Sequence, residues 1–129
     1  MKYTFDEPDH DYFLGVAEAV RDGARCLKRK YGAVLVKDKR IISVGFNAPP
    51  GTVPTCEVCA RADLPSGSNY DNCPSIHAEI ECLVNAERDG ITIHGATLYL
   101  AGEYPPCNLC RRVLSNAEVH IIRMKAGVV

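Results

Sequence analysis

Four side chains in two short stretches have types and spacing that could do chemistry together: His77 and Glu79 in Ser75-Ile76-His77-Ala78-Glu79, and Cys107 and Cys110 in Pro106-Cys107-Asn108-Leu109-Cys110. An imidazole and two thiolates suit zinc, and a catalytic zinc keeps three protein ligands and leaves its fourth position to water. His77, Cys107 and Cys110 supply such a set. Glu79 is too close in sequence to His77 to be a comfortable fourth ligand, and is placed instead to handle the protons of that water. Taken alone, His77 would read as a surface or hydrogen-bonded histidine, and the Cys-x-x-Cys pair as a redox pair; a redox site leaves His77 and Glu79 unexplained. His10, His94 and His120 have no partner motif, and His94 reads as solvent-facing.

The chain has seven cysteines, an odd number with two Cys-x-x-Cys spacings, which points to metal binding before disulfides and to a reducing compartment. With Cys107 and Cys110 assigned and Cys82 placed in the core, Cys26, Cys56, Cys59 and Cys73 remain. Four thiolates suit a second, closed structural zinc site, which would pin the irregular stretch 55–75 beside the pocket. The plain alternative is a set of ordinary buried or exposed thiols.

These groups must be positioned by a small body. At 129 residues the chain reads as a single domain over 1–129. With 24% charged residues and a net charge of −1 it has no global basic field, so nucleic acid and anionic membrane are disfavoured and a small diffusible substrate is favoured. No apolar run reaches membrane-spanning length and the first residues lack a secretory pattern, so a cytoplasmic protein is expected.

Apolar residues at Phe13, Val16, Ala17, Val20, Ala24 and Leu27 predict an amphipathic helix over about 9–30, its last turn carrying Arg25, Lys28, Arg29 and Lys30, where a helix dipole favours cations. That cluster reads first as a solvated face and second as a phosphate site. Ala33-Val34-Leu35-Val36 and Ile41-Ile42-Ser43-Val44-Gly45-Phe46 flank a polar turn and predict a hairpin that delivers Asn47 into a Pro- and Gly-rich loop. A second helix is predicted over 76–88, a strand over 96–100, a helix carrying Cys107, Cys110, Val113 and Leu114, and a strand over 119–123. Two residues turn about 200° on a regular helix, so His77 and Glu79 can converge only at a helix start. Alternating elements imply an α/β layered fold with a mixed sheet.

With both motifs on helix starts, the His-x-Glu and Pro-Cys-x-x-Cys pattern is the known signature of zinc-dependent base deaminases, and the chain resembles the cytidine deaminase superfamily, most of all its deoxycytidylate (dCMP) deaminases. The run from Ala24 through Cys26 and the basic cluster to Gly32-Ala33-Val34 is similar to that family's helix-to-strand passage, Gly45-Phe46-Asn47-Ala48-Pro49-Pro50-Gly51 to its Asn loop, and Pro65-Ser66-Gly67-Ser68-Asn69-Tyr70 with Cys73 to a segment of some bacterial members. The resemblance implies a three-layer α/β/α fold, zinc on His77, Cys107 and Cys110, Glu79 as proton shuttle, Asn47 bonding the deoxyribose, and backbone beside Ala78 reading the base. It further implies a homo-oligomer. Ala48 departs from the family's usual glycine, Ala101-Gly102-Glu103-Tyr104-Pro105 from its commoner approach to Pro-Cys, and the family normally continues beyond its fourth strand.

The expected reaction is hydrolytic deamination of dCMP to dUMP and ammonia. Arg25, Lys28, Arg29 and Arg61 are the candidates for phosphate contact. The alternatives are a deaminase for another cytosine nucleoside or nucleotide, and a non-catalytic zinc or nucleotide-binding module. Retention of Glu79 disfavours the second, since a purely structural metal needs no proton carrier.

Overall fold

The computed structural model describes residues 7–59, 62–63, 73–103 and 105–123. Seven elements follow in order: α1 Glu7–Arg21, β1 Gly32–Lys37, β2 Arg40–Phe46, α2 Ala78–Arg88, β3 Thr97–Ala101, α3 Asn108–Asn116 and β4 His120–Arg123. The strands form one sheet in the order β2-β1-β3-β4.

β1 and β2 are the antiparallel hairpin read from the sequence, closed by Asp38 and Lys39 at φ of 52° and 60°. Both central residues are left-handed, as in the type I′ turn whose twist matches the strands it joins. β1 also pairs antiparallel with β3, and β3 pairs parallel with β4 across α3, so the sheet is mixed, as expected.

Alternation along β1 sorts the core into two faces. Val34 and Val36, with Tyr99 and Ala101 of β3, pack against Phe13 and Ala17 of α1. Ala33 and Leu35, with Leu98 and Leu100, pack against Ala78, Cys82 and Ala86 of α2 and Leu114 of α3. The result is the three-layer α/β/α architecture. Among the described residues no helix is long and apolar enough to cross a membrane.

α1 is shorter than the periodicity predicts: it ends at Arg21, nine residues before Lys30. The next residues close tight turns, Gly23 N–H donating to the Val20 carbonyl and Ala24 N–H to that of Arg21. A side chain at Gly23 would come within 2.8 Å of the Phe46 ring, and Arg25 N–H leaves the helical ladder to reach the Asn47 carbonyl at 2.9 Å. Tertiary contacts thus override the helical pattern, Leu27 is exposed rather than buried, and the basic residues 25–30 lie in an irregular segment. The dipole argument applies only to Arg21.

α2 lies unusually close to β2. A Cβ on Gly45 would sit 2.6 Å from the Cys82 nitrogen and 2.7 Å from the Ala78 carbonyl oxygen, so helix backbone rests on strand backbone. Ser43 Oγ donates to the Cys82 carbonyl and Asn85 Nδ2 to the Val44 carbonyl, fixing the same contact at both edges.

Candidate active site

His77 is the N-cap of α2, with extended backbone at φ −65°, ψ 146°, and Glu79 is the second residue inside the helix. Because His77 lies outside the helical ladder, the angular separation of a regular helix does not apply, and both side chains reach the Cys110 thiol. The position of His77 is held by the strand-like bridge between Ala48 and Ile76: Ile76 N–H donates to the Ala48 carbonyl at 2.9 Å, and Ala48 N–H to that of Ile76 at 3.3 Å.

Cys107 plays the matching part at α3. It follows two prolines, which end extended chain without removing a needed helical donor. As N-cap it is extended, and its Sγ accepts from the Cys110 N–H at 3.4 Å. That bond and the one-turn spacing turn both sulfurs to one side.

His77 Nδ1 lies 3.5 Å from Cys107 Sγ and 3.4 Å from Cys110 Sγ. Two ligands at zinc bond lengths and a tetrahedral angle stand about 3.6 Å apart. The three ligand atoms lie within 4.8 Å of one another, and among the described residues this trio alone has the spacing of a metal cluster. The donor set therefore fits a zinc ion.

Glu79 is 4% exposed, and burial raises its carboxyl above the ordinary carboxylate range against the pull of its backbone N–H and the Cys110 thiol. Burial and the adjacent Glu79 carboxylate likewise push the Cys110 thiol far up. A cation inverts this order for sulfur, because a coordinating thiol gives up its proton.

Cys26, Cys56, Cys59 and Cys73 come from three separate stretches and surround one cavity of about 50 Å³, which Ser75 also lines. Burial raises the Cys56 thiol first, and Cys73, Cys26 and Cys59 raise it further. Ser75 Oγ is buried there without a hydrogen-bond partner.

Asn47 is 6% exposed and its side chain is turned into the chain: Oδ1 accepts from Tyr31 N–H and Nδ2 donates to the Arg29 carbonyl, both at 2.7 Å. Ala78 is fully buried at the start of α2. Arg25, Lys28 and Arg29 stand in the irregular segment after α1, whereas Arg61 and the stretch 65–70 lie outside the described residues. Cys82 is core, as expected, with its thiol pushed up to about 12 by burial. His94 is exposed and pairs with Glu118 at 2.6 Å.

Sequence reasoning passed over His10. Its Nδ1 meets the hydroxyl of the fully buried Tyr99 at 2.8 Å, a contact 89 residues apart that no local spacing announces.

The family described as "Cytidine and deoxycytidylate deaminase zinc-binding region" matches residues 7–126. The chain belongs to this family. Among curated members, a deoxycytidylate deaminase of Mycobacterium phage D29 is 36% identical over 120 residues, covering 87% of this chain and 91% of that protein. A deoxycytidylate deaminase of Saccharomyces cerevisiae is 33% identical over 101 residues; the match covers 77% of this chain but 31% of the yeast protein. The fold of the dCMP deaminase from cyanophage S-TIM5, solved in complex with dCMP and dUMP, superposes with a TM-score of 0.76 at 22% identity, covering 93% of this chain and 85% of that one.

Proposed function

We propose that this family member hydrolyses dCMP to dUMP and ammonia, with zinc held by His77, Cys107 and Cys110 and with Glu79 as the proton carrier. The observation that carries the reading is the buried carboxyl of Glu79 beside a His-Cys-Cys trio at zinc-ligand spacing. The phage D29 relative, similar over most of both chains and named a deoxycytidylate deaminase, supports dCMP as the substrate.

When bound, zinc acts as a Lewis acid that makes water nucleophilic near neutral pH. Glu79 accepts the proton of the attacking water and delivers it to N3 as the C4–O bond forms. The same carboxyl carries the second proton to the exocyclic nitrogen, the C4–N bond breaks, and ammonia leaves. A group that must both take and give protons works best when its pKa is lifted towards neutrality, and burial moves Glu79 in that direction. Backbone at Ala78 and at the Pro106–Cys107 turn would read the edges of the base, and Asn47, whose side chain is bonded to the 29–31 backbone, would serve the sugar-phosphate end through that segment.

The reading extends to one deaminase domain over 1–129, a structural zinc at Cys26, Cys56, Cys59 and Cys73, a cytoplasmic location consistent with seven cysteines outside any disulfide, and assembly into a homo-oligomer. Ammonia release from zinc-replete protein offered dCMP, deoxycytidine, cytidine and CMP side by side tests it. Preference for dCMP is expected; no turnover of any of the four sinks it.

A further inference from the structure

The irregular segment between α1 and β1 brings Lys28, Arg29 and Lys30 to an open groove of about 340 Å³, which Glu18, Arg21, Asp22 and Glu103 also line. Glu103 stands shortly before Cys107 in the chain, and Arg21 Nη2 reaches its carboxylate at 3.8 Å. A segment without a helical or strand ladder must find partners for its backbone polar groups elsewhere. Here one residue supplies three of them. Asn47 takes the Tyr31 N–H on Oδ1, gives Nδ2–H to the Arg29 carbonyl, and accepts the Arg25 N–H on its own backbone carbonyl. The next residue, Ala48, is bridged to Ile76, the neighbour of His77. The cationic wall and the His-Cys-Cys trio are therefore hung on adjacent residues of one short strand extension.

An amide side chain offers about four hydrogen-bonding sites, and Asn47 spends two of them on this segment while remaining almost wholly buried. We infer that Asn47 is a positioning residue that sets the basic segment at a fixed offset from the metal trio, so that the segment's cations receive the anionic end of the substrate. The inference rests on the dCMP reading and deepens it: Asn47 acts on the phosphate through the Arg29 and Tyr31 backbone more than on the sugar by touch. A wall ordered in advance spares the ligand the entropy of ordering it.

The test compares kcat and KM of wild type and Asn47→Ala on dCMP and deoxycytidine, and repeats the substitution in a Lys28→Ala/Arg29→Ala background. Loss of two buried hydrogen bonds predicts a KM for dCMP raised about tenfold to a hundredfold with kcat changed little. Deoxycytidine should lose less than about threefold, and in the background lacking the two cations the effect on dCMP should largely vanish. Equal losses on both substrates, or full additivity with the cation substitutions, overturn the inference in favour of a direct contact with the nucleoside.

Should Asn47→Ala not fold, Asn47→Asp keeps the acceptor for Tyr31 N–H and removes the donor to Arg29, and the same comparison applies. If wild type turns over neither substrate, the dCMP reading fails separately, and equilibrium binding decides: dCMP must still bind more tightly than deoxycytidine by a margin that Asn47→Ala erases. An unchanged margin overturns the inference.

Discussion

His77 Nδ1 and Cys110 Sγ approach to 3.4 Å across 33 residues of sequence. The approach depends on two helices beginning at the same place on one sheet face: α2, which rests on β2, and α3, which follows β3. Each gives its cap position to the trio, so the site is a property of how two helices start.

Replacing Glu79 with Gln keeps the shape of the side chain and removes its proton traffic. Turnover should fall by at least the 10²–10⁴-fold typical of a lost general acid–base group, while zinc content stays at the wild-type level. Metal analysis alongside ammonia release checks both halves. Retained turnover in zinc-loaded Glu79→Gln would remove Glu79 from the mechanism.

Purified protein should hold two zinc ions per chain, one on the His-Cys-Cys trio and a second that draws the four thiols around the Ser75 cavity in to ligand spacing. Atomic emission counts them. Cys56→Ser/Cys59→Ser should leave one zinc and residual turnover; Cys107→Ser should also leave one and abolish turnover. One zinc per chain in the wild type would dispose of the structural site.

Tyr99 ionises late, its hydroxyl pushed up from 10 to about 12 by burial and by the Asp9 carboxylate. The groups facing it include His10, and Asp9 is itself paired with Lys39 at 3.1 Å. The folded state holds this proton more tightly than the unfolded chain, so its contribution is complete below pH 10 and is lost as pH rises towards 12. Within that window the wild type should lose up to about 1.4 kcal/mol per pH unit that Tyr99→Phe does not lose. Urea midpoints at pH 9 and pH 11 give the comparison; parallel pH dependence of the two proteins contradicts it.

Cys82 should resist alkylation in the native protein. It is fully buried, its Sγ points to the Ala33 carbonyl at 3.8 Å, and its thiol is pushed up to about 12, so thiolate is scarce at pH 8. Mass mapping of maleimide labelling in native protein should find it unmodified until denaturant is added. Rapid native labelling of Cys82 would mean that α2 parts from the sheet far more readily than its packing suggests.

The His-Cys-Cys trio was legible because its signal is local: residue types in two short motifs, each at a helix start, with Glu79 only two residues from His77. The hairpin, the mixed sheet and the two later helices followed from period and turn chemistry in the same way. The end of α1 did not, because apolar rhythm continues through Ala24 and Leu27 while the Phe46 ring and the Asn47 carbonyl, both from a distant strand end, interrupt the helix. Asn47 stands out in the sequence through the resemblance of its loop; its two bonds to the 29–31 backbone depend on the path of that segment, which sequence spacing does not specify. His10 and Tyr99 meet only because α1 crosses the sheet above β3.

The backbone contact at Gly45 makes an otherwise featureless position a gauge for the whole pocket. With 2.6 Å between a would-be Cβ and the Cys82 nitrogen, even a single methyl group must lift α2, and α2 begins at the residue after His77. Mutational tolerance should therefore be distributed by thickness and not by nearness to substrate: bulk can accumulate on the solvent side of α2, at Val84 for instance, while a residue that never meets the nucleotide admits no side chain at all.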